Sequence, residues 1–134
     1  MRPYSTFAIF VFVTIFTGIS CKKDEVPTSP NSGRTIQFNL YTVEDFSNDD
    51  HNITFSLFIK THTQKLFDST LATMKIKDIP NEINKLIVLK KVPHDDGSDL
   101  SAGFVYTIEN VGVSWHIDTI SGGEPFKIID FSFK

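Results

Sequence analysis

The sequence predicts an all-β domain, a single antiparallel β-sandwich of about seven strands, and three observations carry that expectation. Apolar residues recur at every second position over successive short runs, which sets them on one side of a strand. Turn-forming clusters separate the runs at roughly 10–18-residue spacing, as hairpin connections require. No stretch has the apolar spacing of a long helix, whereas Phe, Ile, Val and Thr suit a pleated, half-buried surface.

Taken in order, Ile36, Phe38 and Leu40 alternate with Gln37, Asn39 and Tyr41. Ile53, Phe55, Leu57 and Ile59 alternate with Thr54, Ser56, Phe58 and Lys60. Met74 and Ile76 alternate with Lys75 and Lys77, and Leu86 to Leu89 is a continuous apolar run. Phe104 to Val111, Val113 to Ile117 and Phe126 to Phe133 follow, the last placing Ile129, Phe131 and Phe133 on one face. Leu66 to Leu71 is read as ambiguous, with a further short strand as one option. Asn81 to Lys85 could hold one helical turn. The breaks at Ser47–Asn52, Thr61–Gln64, Pro80–Asn84, Pro93–Ala102 and Ser121–Glu124 are rich in Ser, Thr, Asn, Asp, Gly and Pro.

Length and charge bound the rest. A chain of 134 residues leaves room for one domain and no second. One cysteine excludes a disulfide scaffold and a multi-cysteine zinc site. Thirteen basic against 16 acidic residues offer no basic surface to nucleic acid. Residues 1–20 read as a secretory signal, because a lone Arg2 precedes the apolar run Phe7–Thr17 and small residues follow. That run is too short to span a bilayer, which needs about 20 apolar residues. Residues 21–33 form a tether, with Val26 to Gly33 reading VPTSPNSG, and residues 34–134 form the folded domain.

Cys21 follows Gly18-Ile19-Ser20 where the apolar run ends. This resembles the lipobox of bacterial lipoproteins, and the resemblance implies a diacylated Cys21 as the mature N-terminus. Position 18 is Gly where that family more often has Leu. Two or three acyl chains suffice for lasting attachment, since each buried methylene contributes about 0.8 kcal/mol. Cys-Lys-Lys-Asp-Glu and the later runs GFVYTIENVGVSW and FKIIDFSF resemble small Bacteroidota lipoproteins with a β-sandwich domain. The resemblance implies an outer-membrane location, facing either the periplasm or the cell surface, and an Ig-like or transthyretin-like topology. It implies no activity.

Several candidate sites follow from residue type. Trp115, mid-strand between Val113 and Ile117, is read as a core plug, with an exposed sugar-stacking ring as the alternative. Ser114, His116 and Asp118 are the three members of a hydrolytic triad, but they project in parallel from one strand, about 6.6 Å apart. A nucleophile and its base need about 3.2 Å, so a solvated strand face is expected. A metal held by His116 and Asp118 is weighed and set aside. The acidic loops Pro93-His94-Asp95-Asp96-Gly97-Ser98-Asp99 and Ser47-Asn48-Asp49-Asp50-His51-Asn52 could offer oxygens to calcium, yet such loops are first of all turn formers. No metal ligand, cofactor or catalytic residue is assigned. Tyr41, Phe58 and either Phe104/Tyr106 or Val105/Val111 cannot all face the core, so an apolar outer patch is expected.

The functional expectation is therefore a membrane-anchored binding module. A neighbouring envelope protein, a glycan or another copy of the chain are the conceivable partners. The alternatives are a structural accessory of an outer-membrane complex and, with less support, a loop-based hydrolase.

Overall fold

The computed structural model describes residues 33–134. The stretches read from sequence as a signal peptide, a lipid attachment at Cys21 and a tether lie, but for Gly33, outside the described residues. Eight strands form: β1 (Thr35–Thr42), β2 (Asn52–Lys60), β3 (Lys65–Thr70), β4 (Met74–Lys75), β5 (Leu86–Lys91), β6 (Leu100–Ile108), β7 (Gly112–Ile120) and β8 (Phe126–Phe133). One sheet has the order β5-β1-β8, the other β3-β2-β6-β7, with β4 pairing the start of β2. The all-β sandwich expected from the alternation is the fold observed.

Four details differ from the sequence reading. The ambiguous 66–71 segment is a full strand, β3, pairing antiparallel with β2. The helical turn falls at Ile76–Asp78 and shortens β4 to two residues, while Asn81 only bridges to Thr42. β1 and β8 pair in parallel, whereas every other pair of strands is antiparallel. Parallel pairing needs a connection that leaves the sheet, and here the chain visits the larger sheet between the two strands. Finally, β2 and β3 share a sheet, whereas the constant-type immunoglobulin order places the second and third strands in opposite sheets. The strand order is therefore not that of a constant-type immunoglobulin domain counted from its first strand.

The core lies where alternation predicts it on β1, β2 and β8. Ile36, Phe38 and Leu40 face Ile53, Phe55, Leu57 and Ile59 across the sandwich, with Ile129, Phe131 and Phe133 beside them, all buried. An aromatic cluster fills its centre. Phe104 meets Phe38 edge-on at 5.7 Å and lies 5.2 Å from Phe131, and Tyr106 sits 5.6 Å from both Phe131 and Phe133. Edge-to-face and tilted pairs of this kind add about 0.5–1.5 kcal/mol each beyond burial.

Polar groups close the two open sides of the sandwich. On one side Lys90 of β5 reaches over the Phe67 ring of β3, its Nζ 4.8 Å from the centroid. On the other, the His116 ring of β7 stacks on Phe131 of β8 at 5.0 Å. Inward-pointing polar residues on edge strands discourage sheet-to-sheet aggregation.

Gly103 sets how closely β6 and β7 approach. A Cβ there would collide with the His116 carbonyl oxygen and lie 3.0 Å from the Ile117 Cα, both backbone atoms that cannot swing aside. Gly103→Ala should therefore destabilise the domain by about 1–3 kcal/mol, the usual cost of overpacking. Thermal denaturation checks this, and an unchanged midpoint would mean the two strands are not held so tightly.

Candidate binding surface on the larger sheet

The outer face of the larger sheet is set by register. Directly opposed residues of antiparallel strands share a face. Phe104 pairs with His116 and Val105 with Trp115. Because Phe104 and Tyr106 are turned into the core, Val105 faces outward and carries Trp115 with it. Trp115 is 66% exposed, and Val113 and Ile117 are exposed on the same face. This corrects the core-plug reading of Trp115. The alternation on β7 was legible, but its inward face is the polar one, carrying Ser114, His116 and Asp118 and reaching the core only at Ile120. β7 is an edge strand that meets the smaller sheet chiefly at β8, and its inner face is only partly covered.

A shallow groove of about 470 Å³ crosses this outer face. Phe58, Val105, Trp115 and Ile117 form its apolar part. Phe58 stands opposite Gly103, which in turn stands opposite Ile117, so the groove's middle row has a glycine between two large side chains. The β2–β3 hairpin supplies a polar rim. Ser56 Oγ and Thr70 Oγ1 are hydrogen-bonded at 2.9 Å, and Lys65 Nζ pairs with Asp68 Oδ2 at 2.7 Å. Lys60 extends its Nζ over the Phe58 ring, 5.7 Å from the centroid. Comparison of the chain with protein-family models, curated proteins and solved structures finds no match.

The other candidate residues are used differently. Ser114, His116 and Asp118 share a face as expected, and among the described hydrogen bonds none joins them. The carboxylates of the Ser47–Asn52 loop are already engaged: Asp49 Oδ1 accepts from the His51 N–H at 3.0 Å within the loop, and Asp50 Oδ1 pairs with Lys75 and Lys77 beyond it at 3.0 and 2.6 Å. Those two ammonium groups, Lys77 foremost, hold the exposed Asp50 carboxyl down at about 2.

In the 93–99 loop, Asp96 Oδ1 accepts from the Ser98 N–H and Asp99 Oδ1 from the Gly122 N–H. Asp95 clasps Arg34. Among the described residues no group of three or more His, Cys, Asp or Glu side chains is placed to hold a metal ion.

Of the outer-face residues weighed from sequence, Phe58 and Val105 belong to the groove, and Phe104 and Tyr106 belong to the core. Tyr41 lies on the outer face of the smaller sheet and hydrogen-bonds Asp130 at 3.2 Å. Sequence reasoning gave Lys60, Lys65, Asp68 and Gly103 no part in a binding site. Only the spacing of the glycine within the apolar run Ala102–Tyr106 hinted at a close strand approach.

Proposed function

We propose that this chain is an envelope lipoprotein, anchored through acyl groups on Cys21, whose domain binds a partner on the outer face of the larger sheet. The observation that carries the reading is the Trp115 indole, two-thirds exposed in the middle of a regular strand and bordered by Val105, Ile117 and Phe58. Exposed apolar surface of this kind on a monomer marks a contact site. A large, rigid ring also loses little conformational entropy when it is covered. The lipobox-like sequence around Cys21 supports the anchor.

Trp115 is the only tryptophan, so its fluorescence reports on this face alone. A collisional quencher should reach it in the native protein almost as freely as in the denatured chain, and a bound partner should protect it. An indole already shielded in the free protein would sink the contact surface. Separately, Cys21→Ser should move the protein from the membrane fraction to the soluble one. Unchanged partitioning of that variant would remove the anchor.

The smaller sheet favours a second reading, that of a structural accessory. Ile87, Leu89, Phe126 and Ile128 are all exposed on its outer face, flanking Gln37 and Asn39. A stoichiometric membrane partner that co-purifies with the wild type and is lost with Leu89→Asp would support it.

A further inference from the structure

We propose that the groove takes a carboxylate-bearing oligosaccharide, with one pyranose ring on the Trp115 indole and an acid group at Lys60. This rests on the contact surface argued above and names its ligand class. Three features of the groove point to such a ligand.

The first is the division of the groove into an apolar side and a hydroxyl-bonding side. A pyranose has a C–H face and a rim of hydroxyls. Trp115, Val105 and Ile117 offer a flat apolar platform for the former, and the negative face of an indole attracts polarised C–H groups. Ser56, Thr70 and Asp68 offer oxygens to the latter. An aliphatic chain in the same place would strip water from these polar groups without replacing their hydrogen bonds. A β-strand added from a peptide would pair at a sheet edge, β3 or β7, beside this face rather than on it.

The second feature is charge. Residues 34–134 carry ten basic and fourteen acidic side chains, so the domain as a whole repels anions. The groove departs from that average, with two lysines and one aspartate. Lys65 is matched by Asp68, whereas Lys60 forms no ion pair among the described residues. One unmatched ammonium in an acidic setting favours a ligand that brings a carboxylate to it.

Dimensions supply the third. Trp115 and Ser56 lie in one cross-strand row through Val105. Lys60 folds back to hold its Nζ over Phe58, one row further along and two strands across from Trp115, about 12 Å away by strand spacing. One sugar ring cannot reach both ends, so the ligand has two or more.

The test titrates the detergent-solubilised full chain with oligogalacturonate, alginate and hyaluronan oligomers, and with methyl-esterified oligogalacturonate as the neutral match. Trp115 fluorescence and calorimetry provide the readouts. At low salt at least one acidic oligomer should bind, and oligogalacturonate should bind about tenfold tighter than its ester if a charge-assisted contact forms. Lys60→Gln should close that gap and leave ester binding unchanged, while Trp115→Ala should abolish both. Equal affinity for acid and ester overturns the carboxylate assignment and leaves the contact surface standing. No binding of any acidic oligomer overturns the ligand class, even if a protein partner still protects Trp115. Tight binding that survives Trp115→Ala overturns both this inference and the proposed surface.

Discussion

Phe55→Ala should cost about 3–5 kcal/mol of folding stability. Phe55 is fully buried on β2, a central strand of the larger sheet, and its ring lies within aromatic contact range of four others. Tyr106 is 5.7 Å away, Phe133 6.2 Å, and Phe104 and Phe131 6.4 Å each. Truncation removes apolar burial and leaves a cavity that those four rings, each held by its own neighbours, cannot fill. Domains of this kind are stable by only about 5–15 kcal/mol, so the variant would be marginal at best. Urea denaturation should show a large drop in midpoint with little change in slope. Ser56→Ala, the next residue along the same strand and on the outer face, is the control and should cost much less. A loss below about 1 kcal/mol for Phe55→Ala would mean that the aromatic cluster is not the centre of the core.

Asp95→Ala should be nearly as damaging, for an electrostatic reason. The Arg34 side chain is only 4% exposed and that of Asp95 10%. Arg34 Nη2 meets Asp95 Oδ1 at 2.6 Å, Arg34 Nε donates to both carboxylate oxygens at 3.0 and 2.9 Å, and the Arg34 N–H donates to Oδ2 at 3.0 Å. Removing the carboxylate strands a guanidinium whose remaining partner is the Ser121 carbonyl at 3.3 Å. Breaking a buried pair in this way costs about 3–5 kcal/mol. A double replacement by apolar residues of similar volume should recover most of that loss, because the charges themselves are expensive to bury.

The same pair sets an acid limit. Hydrogen bonding from Arg34 lowers the Asp95 carboxyl from the ordinary 3.8 to about 2. A carboxyl depressed in the folded state contributes stability that is complete above its unfolded value and is lost as pH falls through the folded one. The Asp95 contribution should therefore fade between about pH 4 and pH 2. Asp95→Asn should flatten that limb of the stability curve. If the curve keeps its slope in the variant, other carboxylates govern the acid transition. The exposed Asp50, also held at about 2, gives a weaker and salt-sensitive term.

Legibility from sequence followed burial. On β1, β2 and β8 one face is fully covered, so period two translates directly into core positions such as Phe38, Phe55 and Ile129. The acidic loops were also legible as turn formers, since Asp49 and Asp96 bond backbone two residues on. β7 was misread because alternation states that two faces differ and not which one is inside. Ordinarily the apolar face is inward, but an edge strand only partly roofed by the smaller sheet escapes that rule. The groove was invisible for another reason. Lys60 and Asp68 of one hairpin lie far along the chain from Val105 and Trp115 of another, and the two pairs become neighbours only through the β2–β6 pairing.

By itself, then, the order of residues determined that the chain folds as a β-sandwich and which side chains of β1, β2 and β8 fill it. Local patterning controls those outcomes because solvent exclusion acts on each strand's two faces separately. Tertiary structure alone decided that Trp115 faces water, that Arg34 and Asp95 meet, and that Lys60 stands near an apolar platform. Each of these depends on which strands pair and in what register, a choice made by long-range contacts that no single segment encodes.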